Sequence, residues 1–199
     1  MKNVVDVIAV FDFDGTITSK STTLPFLKFL DEQNFLYKFL SKFYIVAGYQ
    51  LHLIHIDTMN RIISKSFFKG LHQDYLYSMG QLFNQRIIPK LLRPLALQKL
   101  HWHKSQGHTC ILASSAFNIY IDDWALNNGF DGVVSTRVAF DAHGIATGDL
   151  VGKSCNGDEK LRRTLELIGT EAQIIHAYGD TSGDVPLLNH ATYPHYRCF

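Results

Sequence analysis

The chain is predicted to adopt an α/β fold, an open, mostly parallel Rossmann-like sheet with helices on both faces and an inserted all-helical segment. Three observations predict this fold. Apolar, β-branched runs of strand length alternate with helical segments, as they do in parallel sheets. The first of these runs is apolar on both faces, which is typical of a strand covered on each side. After it, about seventy residues show helical spacing and no strand pattern.

Length and composition fit this fold and exclude several classes of protein. The 199 residues suffice for one domain, or for one domain with an insertion. A net charge of +1 gives no indication of a basic surface for binding nucleic acid. The three cysteines are far apart and form no CxxC pair, so they indicate a cytoplasmic protein without a disulfide framework or a zinc site. Acids within the apolar N-terminal stretch are not typical of a signal peptide.

The first strand is predicted over residues 4–11 and is followed at once by two aspartates, Asp12 and Asp14. In an extended backbone both side chains point the same way, and carboxylates so close repel each other unless a cation lies between them. Oxygen ligands of this kind suit Mg²⁺. A strand closed by an ordinary Asp-Gly turn explains this stretch equally well when it is taken alone.

Residues 19–88 are predicted to be helical throughout, with helices over 24–30, 35–56, 58–68 and 74–88. Within them, Phe43 to Ile56 is a run of 14 residues without a formal charge. A bilayer-spanning helix needs about 20 residues, so this run is too short to cross. It is interpreted as a core helix, with an interfacial helix on a membrane or an apolar substrate as the alternative. His52 and His55 lie at helical spacing but have no third ligand in sight, so they are not interpreted as a metal site.

The alternation of strands and helices resumes after Pro89. Gly107, Gly129 and Gly169 follow three of the predicted helices and are typical of helix ends. The predicted order is helix 89–105, strand 109–113, helix 117–127, strand 132–136, hairpin 137–151, helix 158–168, strand 173–178, helix 185–189 and a last short strand within 193–199.

Polar residues follow three of the predicted strands. They are Asp12 with Asp14, Ser114 with Ser115, and Asp180 with Asp184. The carboxyl ends of parallel strands meet at one edge of a sheet, where ligands bind in this fold class. Carboxylates there suit a divalent cation, and a hydroxyl before a helix N-terminus suits a phosphate. With a lysine to balance the charge, this edge has the parts of a phosphoryl-transfer site.

Four motifs make the sequence resemble the haloacid dehalogenase superfamily of phosphohydrolases, in its phosphoserine phosphatase-like branch. They cover residues 11–16, 111–114, 155–160 and 178–188, in the family's order and on the expected elements. The resemblance extends over nearly the whole chain. It implies a core domain of residues 1–18 and 89–199, with residues 19–88 as a helical cap.

The resemblance also implies a Mg²⁺-dependent phosphomonoester hydrolase. Asp12 is expected to attack phosphorus and form an aspartyl phosphate, and Asp14 to act as general acid and base. Mg²⁺ is expected on the Asp12 carboxylate, the Asp14 backbone carbonyl and Asp180. Asp184 is expected to bind through water or to steady Lys160.

Two residues are expected to hold the phosphoryl group in this resemblance. Ser114 would donate a hydrogen bond to a phosphoryl oxygen, and Lys160 would neutralise its charge. Each has an alternative in the sequence. Ser115 replaces Ser114 if the strand ends one residue later, and Lys153 is the other candidate for the third-motif lysine.

The substrate is expected to be a small-molecule phosphate of unsettled class. Phosphoserine phosphatases typically carry a glutamate nine residues after the nucleophile, whereas this chain has Ser21 there. The departure argues against phosphoserine. Arg61 is interpreted as a surface residue rather than as a reader of a second anion. The apolar, aromatic cap favours a greasy leaving group, a lipid phosphate among them, and contact with a membrane surface through the cap.

Other functions stay open at this point. Within the family, the alternatives are a phosphoserine phosphatase and a phosphotransferase or mutase that passes the phosphoryl group to a hydroxyl. From another class, a phospho-accepting signalling module uses similar residues. Its phosphoryl-accepting acid follows the third strand, however, and it needs no long insertion after the first. No feature predicts the oligomeric state.

Overall fold

A computed structural model describes residues 7–41, 43–51, 53–169 and 172–199. Its strands are β1 (Ile8–Phe11), β2 (Thr109–Phe117), β3 (Gly132–Thr136), β4 (Val138–Phe140), β5 (Ala146–Leu150), β6 (Ile174–Gly179) and β7 (Tyr193–Tyr196). Five of them form one parallel sheet in the order β3-β2-β1-β6-β7. Strands β4 and β5 form a separate antiparallel hairpin. The predicted α/β fold is thus confirmed.

Strand β1 lies at the centre of the sheet and is buried on both faces, which explains its continuous apolar sequence. Ala9 and Phe11 point into the larger core cluster, and Ile8 and Val10 into the smaller cluster on the opposite face. Because successive side chains of a strand alternate between faces, helices must cover both sides.

The helices are α1 (Thr23–Leu30), α2 (Glu32–Ser41), α3 (Phe43–Gln50), α4 (Ile56–Phe67), α5 (Gln73–Arg86), α6 (Pro94–Ser105), α7 (Asn118–Asn127), α8 (Asp158–Ile168) and α9 (Val185–His190). Residues of α6 and α7 contribute to the larger cluster, and residues of α8 and α9 to the smaller one. The first five helices lie between β1 and β2 in the chain, as predicted for the insertion.

Three sequence-based boundaries were wrong. The helix predicted over 35–56 begins at Glu32 and ends at Gln50, and Lys42, between α2 and α3, lies outside the described residues. The helix predicted from Pro89 begins at Pro94, because Pro94 takes the first helical position, where its missing N–H is not needed. Strand β2 runs on to Phe117, so Ser114 and Ser115 lie within the strand rather than after it. Residues 4–6 of the predicted first strand and His52 lie outside the described residues.

Helix α4 and the turn before α5 are bound to the hairpin and to the loop that follows it. The backbone N–H groups of Gly70 and Gln73 donate to Ala146 and Gly144. The Asn60 amide donates to the Ser154 hydroxyl over 3.0 Å, and the Arg61 guanidinium donates to the carbonyl of Gly152 over 2.7 Å. Arg61 is therefore engaged with the protein backbone, in agreement with its interpretation as a non-substrate residue.

His103 on α6 is fully buried beside β6. Its Nε2 lies 2.9 Å from the hydroxyl of Tyr178, and its Nδ1 lies 2.8 Å from Nδ1 of His108. Burial, with His176 and His108 close by, lowers the pKa of His103 to about 3. The imidazole is therefore neutral in the folded protein at neutral pH.

This neutral imidazole predicts a pH-dependent contribution to stability. In the unfolded chain a histidine has a pKa of about 6.5. The stability that His103 contributes is therefore present above that pH and is lost as the pH falls towards the lower pKa of the folded state. We expect the difference in unfolding free energy between wild type and His103→Gln to shrink by up to about 1.4 kcal/mol per pH unit in that window. Urea denaturation at several pH values measures it.

His101 on the same helix is exposed and provides the matched control. His101→Gln removes an exposed imidazole from the same helix and gives the baseline for the substitution itself. If the difference in unfolding free energy between wild type and His103→Gln did not change with pH, the pKa of His103 would be the same in the folded and unfolded states, which would contradict the prediction.

Candidate active site

Asp12, the first residue after β1, is paired with a buried lysine. Lys160, in the first turn of α8, places its Nζ 2.7 Å from Oδ1 of Asp12 and 2.5 Å from Oδ1 of Asp184. Lys160 is 2% exposed and Asp12 is 5% exposed. A buried ammonium between two buried carboxylates is stable only as a group, because each charge compensates the others. The structure thus brings Lys160 to the aspartates, whereas Lys153 is exposed on the preceding loop.

Burial sets the proton affinities of this group. It raises the pKa of Asp12, against the opposing effect of the Lys160 ammonium. In Lys160 the two carboxylates outweigh burial and raise the pKa, so the lysine is protonated. Burial also acts on Asp184, but Lys160 and the hydrogen bonds from Thr181 together hold the pKa of Asp184 below its usual value.

Asp184 also organises the loop after β6. Its Oδ2 accepts hydrogen bonds from the backbone N–H groups of Asp180 and Thr181 and from the Thr181 hydroxyl, at 3.0 to 3.1 Å. The Arg197 guanidinium binds the same loop by donating to the carbonyl of Asp180 over 2.9 Å. These bonds fix the direction in which the Asp180 carboxylate points.

The carboxylates of Asp12, Asp180 and Asp184 form a cluster suited to a cation. Each offers one oxygen, and these oxygens lie within 4.8 Å of one another. Burial and the neighbouring Asp184 raise the pKa of Asp180. Hard carboxylate oxygens at this spacing fit Mg²⁺, which prefers such ligands and would relieve the repulsion.

Asp14 is oriented by hydroxyl groups at the start of α1. Its Oδ1 accepts from the backbone N–H of Thr22 over 2.9 Å and from the Thr22 hydroxyl over 2.6 Å. Its Oδ2 accepts from the Ser21 hydroxyl over 3.2 Å. Burial raises the pKa of Asp14 to about 6, and the hydrogen bonds limit the rise. A carboxyl group with this pKa can both donate and accept a proton near neutral pH.

The two serines of β2 differ in position. Ser114 is fully buried, and its hydroxyl oxygen accepts from the backbone N–H of Ala116 over 3.1 Å. Ser115 lies on the wall of the cavity in front of the aspartates, and Ser114 does not. The strand continues through both residues, which accounts for the difference, since neighbouring side chains of a strand face opposite ways.

The aspartates lie at the floor of a cavity of about 450 Å³. Asp12, Asp14, Asp180 and Lys160 form its charged end. Its apolar wall consists of Leu24, Ile56, Met59 and Ile63, all from the segment between β1 and β2. Its polar wall includes Ser19, Lys20, Ser21, Arg93, Ser115, Asn156 and Thr181.

Gly15, next to Asp14, has a backbone and surroundings that only glycine fits. Its φ is +86°, and a Cβ there would lie 2.1 Å from Oδ2 of Asp180. We expect Gly15→Ala to lower turnover roughly 100-fold by displacing Asp180. Gly129 has a φ of +90° with nothing within 4 Å of an added Cβ, so Gly129→Ala carries the same backbone strain without the clash.

The comparison of Gly15→Ala with Gly129→Ala separates the site from backbone strain. Thermal denaturation should show a loss of stability for both variants, at least as large for Gly15→Ala because of its added clash, whereas turnover should fall only for Gly15→Ala. Equal activity of the two variants would contradict the importance of the Asp180 position.

A comparison with protein-family models decides the family. The model described as haloacid dehalogenase-like hydrolase matches residues 9–189. The chain belongs to the haloacid dehalogenase-like hydrolase family. The match confirms the family that the four motifs predicted, and it covers strands β2 to β6 and the helices between β1 and β2, whereas β7 lies beyond it.

Relatives of this hydrolase extend over nearly its whole length. Protein CicA of Caulobacter vibrioides is 27% identical, over 97% of this chain and 86% of that protein. A protein of unknown function from Bordetella pertussis has a solved structure with a TM-score of 0.84 at 16% identity, covering 97% of this chain and 89% of that one. The structure of a phosphoserine phosphohydrolase-like protein from Francisella tularensis has a TM-score of 0.68 at 19% identity, covering 96% of this chain and 85% of that one. At such identities the structural likeness shows the fold alone.

Some residues of this hydrolase site were missed by sequence reasoning. Thr22 orients Asp14, and its hydroxyl lies 2.9 Å from that of the buried Tyr120. Thr181 holds Asp184, and Arg93 reaches the cavity wall. The run of hydroxyl residues at 19 and 21–23 was the available signal for Thr22, because such residues cap helices and bind nearby carboxylates.

Proposed function

We propose that the chain is a Mg²⁺-dependent phosphomonoester hydrolase that works through an aspartyl phosphate on Asp12. The observation that supports this most is the buried group of Asp12, Lys160 and Asp184, which lies at the end of the cavity. Phosphoryl transfer needs a nucleophile, positive charge beside it and ligands for a metal ion. Asp12, the Lys160 ammonium and the neighbouring carboxylates provide these groups.

In the proposed first step an Asp12 oxygen attacks phosphorus, and the bond from phosphorus to the leaving oxygen breaks. Asp14, protonated in part near neutral pH, gives its proton to that oxygen. In the second step water attacks phosphorus and Asp14 takes its proton, which releases phosphate and restores Asp12. Lys160 neutralises charge on Asp12 and on the transferring group throughout.

The Asp12 and Asp180 carboxylates would hold Mg²⁺, together with the Asp14 carbonyl, and Asp184 would support them through Lys160. The ion supplies charge neutralisation of the phosphoryl oxygens when bound. Ser115 lies on the cavity wall and is the better placed of the two serines to donate to a phosphoryl oxygen. Ser114→Ala and Ser115→Ala would distinguish the two serines, because only the loss of the serine that contacts phosphate should raise KM strongly.

We further propose that residues 19–88 act as a cap on a core formed by residues 1–18 and 89–199. The apolar cavity wall from α1 and α4 supports this division, since it faces the aspartates that follow β1. Such a cap would exclude water and contact the leaving group of the substrate.

The cavity favours a small-molecule phosphate with an apolar leaving group, and a lipid phosphate has this chemistry. Leu24, Ile56, Met59 and Ile63 would contact the apolar part. Among the described residues that line the cavity, the acids are Asp12, Asp14 and Asp180. Position 21 holds a serine that donates a hydrogen bond to Asp14, so it offers no carboxylate to the amino group of phosphoserine.

The test is phosphate release from a panel of an aryl phosphate, phosphoserine, sugar phosphates, nucleotides and a phosphatidylglycerol phosphate in detergent. Each is assayed with Mg²⁺ and with a chelator. We expect chelation to lower turnover at least about 100-fold, with the substrates that have apolar leaving groups hydrolysed best. Turnover that survives chelation, or folded protein that hydrolyses nothing, would contradict the proposal. Phosphorylated alcohol formed from an added acceptor would identify a phosphotransferase instead.

A further inference from the structure

Helices α2 and α3 and the residues just after α3 expose an unusual amount of apolar surface. Seven large apolar side chains between residues 36 and 53 are from 54% to 79% exposed. We call them the apolar patch, and they are Leu36, Tyr37, Leu40, Phe43, Tyr44, Leu51 and Leu53. No residue of α2 is buried. So many exposed large apolar side chains within one short segment indicate an interaction site.

Helix α2 packs on the protein through the side opposite Leu36, Tyr37 and Leu40. Phe35 and Phe39 stack on each other with ring centroids 5.6 Å apart, and Phe35 lies 6.2 Å from the ring of Phe67 in α4. A surface helix normally has one apolar face, turned to the core. Helix α2 has a second one, formed by Leu36, Tyr37 and Leu40, which is turned to solvent.

The segment that carries the patch has a positive net charge. Asp31 and Glu32 directly precede the patch, and the Lys38 ammonium lies 2.8 Å from Oδ2 of Asp31, so the excess comes from the rest of the segment. Residues 19–88 contain eight lysines and arginines against four acids, whereas the whole chain has a net charge of only +1. Apolar side chains with flanking lysines are typical of helices that lie on anionic lipid surfaces. A second copy of the chain would bring two positive segments together, which disfavours self-association.

The patch suits a surface contact rather than a membrane crossing. Among the described residues, no helix is long and apolar enough to span a bilayer. Helices with apolar side chains on one side insert these side chains at the level of the lipid head groups.

We propose that the apolar patch docks this protein on the surface of an anionic lipid bilayer. The patch and the apolar wall of the cavity belong to the same segment between β1 and β2. The docking itself does not depend on which phosphate is hydrolysed, and it would stand if the proposed reaction failed.

The test is flotation of the full chain with phosphatidylcholine vesicles, prepared with or without phosphatidylglycerol. The patch variant is Tyr37→Ser with Leu40→Ser. The control variant is Leu95→Ser with Leu126→Ser, since these leucines are 62% and 58% exposed on other helices. We expect wild type and control to bind the anionic vesicles, and the patch variant to bind at least about tenfold more weakly. Raised salt should also weaken binding.

Three results would overturn the proposal. Folded wild type that floats with neither vesicle excludes lipid docking. Equal binding by patch and control variants would place the contact elsewhere. Self-association of wild type that the patch variant loses, without vesicle binding, would assign the patch to a second copy. Because phosphate release is not part of this assay, its outcome is independent of the proposed reaction.

Discussion

Asp12→Asn is expected to lower phosphate release by at least about 10⁴-fold, the scale of losing a nucleophile that has no substitute. Asparagine keeps the size and shape of the side chain but does not form the acyl phosphate. Asp12 lies at the floor of the cavity with an oxygen 2.7 Å from the Lys160 ammonium, so no other carboxylate takes its place. Phosphate release under saturating substrate measures the effect.

The fold is expected to survive this change. Lys160 keeps its ion pair with Asp184, and the amide oxygen of the substituted side chain can still accept a hydrogen bond from Lys160. Asp158 is exposed in the first turn of α8, and Asp158→Asn is therefore the control that should retain full activity. An Asp12→Asn protein with more than about one hundredth of wild-type activity would exclude Asp12 as the nucleophile.

Lys160→Met is expected to have the largest effect on stability. It leaves the carboxylates of Asp12 and Asp184 buried without their shared cation, and breaking such a group costs about 3 to 5 kcal/mol. Activity should fall by at least about 100-fold, since the charge that neutralises the transferring group is lost. Chemical denaturation and phosphate release measure the two effects separately.

The loss of stability in Lys160→Met should depend on pH with a definite sign. Without Lys160, the pKa of Asp12, which burial already raises, rises further, and the pKa of Asp184 is no longer held low, so the folded variant binds more protons than folded wild type. The stability deficit of Lys160→Met should therefore shrink as the pH falls. Lys153→Met is the matched control, because Lys153 is exposed, and it should change neither property. If Lys153→Met lost activity and Lys160→Met did not, the assignment of the lysine would be wrong.

Much of the fold was predictable because short-range patterns determine it. The apolar run before Asp12 is buried on both faces, and its position in the centre of the sheet follows from that burial. The placing of Asp12, Asp180 and Asp184 at one edge was also predictable, since the carboxyl ends of parallel strands meet there. Helix α8 was predicted with its observed bounds, Asp158–Ile168, by its apolar spacing and by Gly169.

The remaining features depend on tertiary contacts that no local pattern encodes. The bond between Thr22 and Tyr120 joins residues 98 positions apart, so only the folded chain shows it. Strand β2 pairs with β3 at Ala113 and again at Phe117, with a register shift between them. Ser114 and Ser115 lie in this irregular stretch, so the sequence alone did not show which of them faces the cavity.

The central claim is that Asp12 carries the phosphoryl group, and chemical trapping tests it most directly. The enzyme is mixed with its best substrate from the panel, quenched during turnover and treated with borohydride, which reduces an acyl phosphate to an alcohol. Peptide mass spectrometry then locates the reduced residue. The account predicts homoserine at position 12, and none when substrate is omitted or when Asp12→Asn is used. Reduction at another acid, or rapid turnover with no residue reduced, would contradict it.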